Sequence, residues 1–180
     1  GSGEWVGPFA MATYNTRVVR LSNALSGWSY GRTFAYGEEM AFGRDALAPL
    51  RAAGVAVGLG AVAAGMAIPP TRALLDRVLP SPGEGPDERT RREGHFTTET
   101  RTRTTSGARY SCVMTAQGDP GYQATSVMLG QSALALALDT DRLPGARGVL
   151  TPASALGTVL AERLRAHGFT LDVTRLDPST

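Results

Sequence analysis

The stretch Gly94–Leu138, GHFTTETRTRTTSGARYSCVMTAQGDPGYQATSVMLGQSALALAL, reads as strand, turn, strand, cap and helix without interruption. From His95 the residues alternate: Phe96, Thr98, Thr100, Thr102 and Thr104 share one face, while Thr97, Glu99, Arg101 and Arg103 share the other. β-Branched Thr at period two is the pattern of a half-buried strand. After Thr105–Gly107 the alternation resumes, with Ala108, Tyr110, Cys112, Met114 and Ala116 on one face. Loop length decides which faces join. A two-residue turn at Ser106 and Gly107 would set Arg103 opposite Tyr110 and mix charge into the apolar row. A three-residue loop sets Thr104 opposite Ala108, Thr102 opposite Tyr110, Thr100 opposite Cys112 and Thr98 opposite Met114. It also puts Gly107 at the left-handed position such loops require. The spacing therefore predicts the three-residue loop, with Glu99, Arg101, Arg103 and Arg109 on a separate charged face.

Past the second strand, Asp119 reads as an N-cap and Pro120 as the first helical residue, where its missing N–H costs nothing. No charge occurs from Gly121 to Leu138. A helix without a polar face is buried all round or lies in lipid. Its many Ala, Ser, Thr, Gly and Gln residues favour a central helix packed on the hairpin's apolar face.

Working outward, residues 1–14 read as extended around Trp5, Val6 and Phe9. Asn15 reads as the cap of a helix over 16–26 that Gly27 stops. Val18, Leu21, Leu25 and Trp28 recur at helical spacing and are expected to face a core. Residues 32–42 alternate as a strand joining the hairpin's sheet. Residues 46–68 form a helix, uncharged from Ala52 to Thr71. Val55, Leu59, Val62 and Met66 make one stripe, and Gly54, Gly58, Ala61 and Gly65 a second, small one. Three uses fit: a packed or dimer-forming helix, contact with an acyl chain or membrane surface, and a membrane span. Within it, Gly58, Gly60 and Ala63 match the G-x-G-x-x-A dinucleotide fingerprint, but no strand precedes them and Pro69 and Pro70 end the helix early. Arg72–Leu79 is helical in pattern. Residues 80–86 read as a Pro/Gly loop and 87–93 as an exposed charged run. Asp139–Gly148 reads as a polar loop. Thr151 and Pro152 repeat the cap-plus-proline start of a helix to His167, with Leu156, Val159, Leu160 and Leu164 inward and Gly168 as its stop. Phe169–Leu176 closes the sheet.

The length of 180 residues suits one α+β domain, with helices near 16–26, 46–68, 121–138 and 152–167 packed on one face of a mostly antiparallel sheet. All eighteen basic residues are Arg against sixteen acids. They are scattered and not interleaved with exposed aromatics, so no nucleic-acid partner is expected. The single Cys112 allows no internal disulfide and fits a reducing, cytoplasmic compartment, as a buried structural thiol. Two distant His residues and one Cys give no metal-ligand spacing. The chain opens Gly1–Trp5 without an initiator Met or a signal peptide pattern, which reads as a segment of a longer protein. His167 suits the negative end of a helix dipole, and His95 reads as an exposed strand-end residue. Tyr122 lies in the first helical turn, where a phenol can donate a proton or hold a carbonyl; packing beneath its own cap is the alternative.

Several stretches carry a family likeness: Gly7–Ala12 (GPFAMA), Asn15–Leu25 (NTRVVRLSNAL), Pro82–Pro86 (PGEGP), Ser106–Tyr110 (SGARY), Gly118–Thr125 (GDPGYQAT) and Gly148–Ala153 (GVLTPA). In that order they resemble the C-terminal, non-Rossmann part of saccharopine-dehydrogenase-like oxidoreductases, most of all the actinobacterial trans-acting enoyl reductases. The resemblance implies a substrate-side domain whose NAD(P) sits on an N-terminal Rossmann domain absent from this chain. It also implies reduction of a double bond in polyketide-derived or lipid intermediates beside a partner synthase. On this reading Tyr122 contacts the reacting group, Asn15 and Arg17 bind substrate near the domain junction, and the segment alone binds no cofactor and is inactive. The charged hairpin face is expected to meet the nucleotide domain or a second subunit, giving a homodimer. The alternative is a non-catalytic lipid- or partner-binding module that uses the helix at 46–68, with membrane association.

Overall fold

The computed structural model describes residues 3–78 and 85–176, so the expected loop at 80–86 lies largely outside the described residues. The class is α+β, with six α-helices, two antiparallel sheets, 49% helix and 20% strand. The chain divides into two compact units, residues 1–84 and 85–180.

In the first unit, β1 (Trp5–Pro8) pairs antiparallel with β2 (Glu39–Gly43) as a two-stranded sheet. This corrects the strand expected over 32–42. Only its last residues are extended in a ladder, and they pair with β1 rather than the hairpin. Alternation in 32–38 has no neighbouring strand to bond, and unpaired backbone gains nothing from being a strand. Between the strands runs α1 (Ala12–Leu25), which begins before Asn15 and has Met11 at its cap position without a side-chain cap bond. The cap role expected of Asn15 is thus corrected: it sits inside the helix, and its amide donates to Glu38 Oε2 at 2.8 Å. Gly27 does stop the helix, with φ +65°.

The inward face of α1 is also corrected. Its buried residues are Ser22 and Asn23, while Val18, Leu21, Leu25 and Trp28 are exposed. Asn23 accepts from the Tyr30 amide at 2.8 Å and donates to the Gly31 carbonyl at 2.9 Å, which stitches the following turn to the helix. A buried amide with both ends satisfied is favourable inside. It turns the polar face inward and leaves the apolar stripe outside.

α2 (Ala48–Ala67) packs only its first turns, Ala48 and Ala52, against this sheet. Gly7 allows the approach, since a Cβ there would lie 3.0 Å from the Phe42 ring and 3.3 Å from the Ala52 carbonyl. Ile68 leaves the helix in an extended conformation, and α3 (Pro69–Val78) follows at once.

In the second unit, the charged run expected over 87–93 is a short helix, α4 (Glu88–Glu93), capped by the Asp87 carboxylate on the Thr90 amide at 2.7 Å. β3 (His95–Arg103) and β4 (Arg109–Gln117) pair in the three-residue-loop register, Thr98 to Met114, Thr100 to Cys112 and Thr102 to Tyr110. Gly107 has φ +88°, and the Thr104 amide donates to the Ala108 carbonyl at 2.8 Å. β5 (Thr170–Leu176) pairs antiparallel with the other side of β4.

The Asp119 carboxylate accepts from the Gly121 amide at 2.7 Å and the Gln123 amide at 3.4 Å. This corrects the cap expected of Asp119: its carboxylate closes a turn ahead of the helix, α5 (Gln123–Leu138) starts after Pro120, and Tyr122 stands at the cap position, before the first helical turn, with no side-chain cap bond. α6 (Pro152–Ala166) opens on a Thr151–Ser154 capping box with Pro152 in its first turn. Leu156, Val159 and Leu164 point inward as expected, and Gly168 has φ +86°. One core joins Ala116, Phe169, Ala124 and Leu164 with Phe96, Met114 and Leu171; a second joins Ala135, Leu156 and Val159.

The expectation that Gly121–Leu138 is buried all round is overturned. Its buried residues are Ala124, Gln131 and Ala135, and Leu129 is 71% exposed. Three strands and α6 offer cover for one side of α5 only. Cys112 is half-buried rather than buried, because the helices reach only the Met114–Ala116 end of the sheet's apolar face.

Candidate functional site

In the second unit, β4 ends at Gln117 where β5 is about to begin, and a cleft of about 300 Å³ opens there. Ala116, Val127 and Phe169 form its apolar floor, with Arg92, Gln117 and His167 at its polar edge. Gln117 donates to the Arg92 carbonyl at 3.0 Å, which ties α4 to the strand end. His167 Nδ1 lies 2.7 Å from the Arg163 carbonyl. A carbonyl only accepts, so that nitrogen carries the proton and Nε2 is the free acceptor of the neutral ring. The helix-end position expected of His167 is therefore met, and the same residue also lines a cleft. Nothing in the sequence period announces that, because it depends on β5 returning beside β4.

Tyr122 stands just outside this cleft, whose lining includes its neighbour Gln123. Its ring is 52% exposed. It packs against the backbone of Gly85, where a Cβ would come within 3.1 Å of the ring. The Asp119 bonds and a bond from Thr125 Oγ1 to the Pro120 carbonyl at 2.6 Å make the turn beneath it rigid. Among the described residues the Tyr122 hydroxyl has no hydrogen-bond partner, so its proton is available to a ligand.

Asn15 and Arg17 belong to the first unit. There Thr13, Thr16, Arg17 and Arg20 of α1 face Gly37 and Glu38 across an open hollow of about 400 Å³. Glu38 is held by the Asn15 amide at 2.8 Å and the Tyr36 hydroxyl at 2.7 Å. Burial and then the hydrogen bond to this carboxylate push the Tyr36 phenol up to about 12. With Glu38 so occupied, Arg17 lines the hollow with its guanidinium unpaired among the described residues. Asn15 does not line it; it positions Glu38. Two guanidiniums and two hydroxyls suit a carboxylate or phosphate.

The charged hairpin face is present and partly self-neutralised. Arg101 holds both oxygens of Glu99 at 2.7 Å, and Ser111 donates to the same carboxylate at 2.7 Å. The Arg101 hydrogen bond, then that of Ser111, lowers the Glu99 carboxyl below the usual range.

Gly58 and Gly60, the dinucleotide-like glycines, lie inside α2. A phosphate-cradling turn needs a strand before and a free helix N-terminus after those glycines. The residues around Gly58 and Gly60 do not fit a dinucleotide. Among the described residues, no group of three or more His, Cys, Asp and Glu side chains could hold a metal.

No family model matches the chain, and no solved structure matches it. Curated proteins do. A Mycobacterium tuberculosis H37Rv protein carrying the provisional name trans-acting enoyl reductase is 50% identical over 181 residues, 97% of this chain. The trans-acting enoyl reductase of Mycobacterium ulcerans is 47% identical over 182 residues, and that of Mycobacterium bovis BCG 48% over 181. The chain spans 42% of the length of each of these relatives.

Proposed function

We propose that this chain is the substrate-side part of an NAD(P)-dependent enoyl reductase of the saccharopine-dehydrogenase-like kind. The observation that carries this reading is the identity of about half over 97% of the chain to proteins named trans-acting enoyl reductases, of which it spans 42%. In this reading the nucleotide is held by a Rossmann domain outside residues 1–180, a cytoplasmic polyketide synthase is the partner, and the substrate is a polyketide-derived or lipid intermediate. The exposed stripe Val18, Leu21, Leu25 and Trp28, and the exposed flank of α5, supply surfaces for that domain or for a second subunit. The charged hairpin face serves the same docking.

No hydride step is assigned to this chain, since Gly58 and Gly60 lie inside α2 and form no phosphate-cradling turn. Its part is placement. In the second unit Tyr122 presents its hydroxyl to the reacting group; in the first unit, taken by itself, Arg17 offers its guanidinium to an anionic group and Asn15 holds Glu38.

Calorimetric titration of NADPH and NADH into the 180-residue chain, and into a version carrying the proposed Rossmann domain, tests the reading. Binding is expected only in the longer form; saturable binding by the short chain refutes it. In the longer form, Tyr122→Phe is expected to lower turnover by about 10²–10⁴-fold if the phenol transfers the proton. Unchanged turnover removes Tyr122 from the site.

A second reading, a lipid- or partner-binding module without catalysis, is favoured by α2, which is apolar along its length and almost wholly exposed. It predicts no nucleotide binding in either form.

A further inference from the structure

We infer that the α2–α3 hairpin inserts into one leaflet of an anionic lipid bilayer. The inference deepens the second reading and requires no reductase activity.

Beyond Ala52 no residue of α2 is buried; Val55 is half-buried, and α3 half-covers Gly65. The free part, residues 53–67, is ~22 Å long at the α-helical rise, shorter than a hydrocarbon core of ~30 Å. It is therefore long enough to sit within a leaflet and too short to cross. As a whole, α2 is long and apolar enough to cross a membrane by length and composition, but its first turns are held on the sheet; almost none of it is buried, unlike the core helix of a soluble protein. Its large side chains stand on opposite flanks. At 100° per residue, Leu59, Val62 and Met66 share one flank and Val57, 72% exposed, takes the other. A second copy or a docked protein covers one flank of a helix. A bilayer covers both.

The hairpin tip is built for a medium without water. Pro69 and Pro70 carry no N–H. Two of the carbonyls at the end of α2 are met internally: the Thr71 hydroxyl shares its proton between Gly65 at 2.6 Å and Ile68 at 2.8 Å, and the Arg72 amide donates to Ile68 at 3.0 Å. Backbone groups in lipid have to be satisfied within the protein. The exposed large apolar side chains around the tip are Met66, Ile68 and Leu74, beside exposed Thr71 and Arg72.

Charge points the same way. Residues 46–76 contain Arg51 and Arg72 and one acid, Asp76, and Arg51 is already paired with Asp45. α3 adds Arg77 in its last turn. α3 folds back on α2 so that Leu75 occupies the space a Cβ on Gly65 would need, 2.8 Å away. An α3 lying over α2 at the headgroup level brings Arg72 and Arg77 to anionic phosphates, with α2 beneath it among acyl chains.

Flotation of the 180-residue chain with vesicles tests this. Vesicles of phosphatidylcholine mixed with phosphatidylglycerol are expected to carry the chain upward, less so at high salt, and phosphatidylcholine alone less well. The double variant Leu59→Arg/Val62→Arg, on exposed positions, is expected to lower the bound-to-free ratio more than about ten-fold while keeping the far-UV circular dichroism. Val57→Arg, alone on the opposite flank, is expected to do the same. Absence of flotation refutes the inference. So does vesicle binding that survives Val57→Arg but not the double variant, which marks a helix resting one flank on the lipid surface rather than inserted in it. A dimer by light scattering that the double variant splits, with no vesicle binding, assigns the flank to a second copy instead. None of these results bears on nucleotide binding by a longer form.

Discussion

Phe169→Ala is the most informative stability test of the second unit. Phe169 is 5% exposed and joins Ala116, Ala124 and Leu164 in the core, edge-to-face with Phe96 at a ring separation of 6.3 Å. A buried Phe removes roughly 150–250 Å² from water, which at about 25 cal/mol/Å² is ~4–6 kcal/mol. Area counted against an extended chain overstates the gain, and measured Phe→Ala costs run ~3–5 kcal/mol. We expect ~4 kcal/mol. Domains hold about 5–15 kcal/mol, so the variant still folds, and amide exchange reads the loss. At about 1.4 kcal/mol per factor of ten, the β4 amides should exchange ~10³-fold faster. Leu129→Ala, equally apolar but on the open flank of α5, should change exchange by less than about three-fold, within ~0.5 kcal/mol. A loss under ten-fold for Phe169→Ala, or a comparable loss for Leu129→Ala, refutes this assignment of core and surface.

Thr151→Ala removes the side-chain half of the capping box at the start of α6 and leaves the residue-151 amide on Ser154 Oγ; it should cost ~1 kcal/mol by urea denaturation, and no change would mean the Ser154 half alone holds the helix start. Tyr36, neutral and hydrogen-bonded in the fold, titrates at about 12 rather than 10.0. Its raised value stabilises below the unfolded pKa, and that contribution is lost as pH rises from about 10 to about 12. Ultraviolet titration should show this late phenol moving down in Glu38→Gln. Asp139, lowered chiefly by the Arg163 hydrogen bond, has the opposite sign: its contribution is present above the usual Asp range and lost as pH falls through its depressed value. Carboxyl-carbon NMR should show that midpoint rising in Arg163→Gln. Gly118→Ala should impair folding of the second unit, because φ is +95° there and a Cβ would lie 2.7 Å from the Gln123 side chain; wild-type amide protection in that variant would refute it.

The sequence by itself determined what short-range physics controls. The register of β3 on β4 follows from period-two alternation and from one glycine at the left-handed turn position, interactions spanning a few residues. The Thr151–Pro152 start of α6 and its stop at Gly168 are equally local, as is the Asp119 turn, which falls three residues short of the cap position of α5. Tertiary structure alone decided which apolar faces find cover. Val18, Leu21, Leu25 and Trp28 carry the spacing of a core stripe, yet Asn23 and Ser22 are buried instead because Tyr30 and Gly31 return to bond Asn23. Residues 39–43 found β1 rather than β4, a choice between distant strands that alternation does not encode. The cleft beside His167 and the hollow beside Arg17 have the same origin, since each is walled by segments far apart in the chain. Periodicity says which side of an element is apolar; only the packing of the other elements says whether anything is there to meet it.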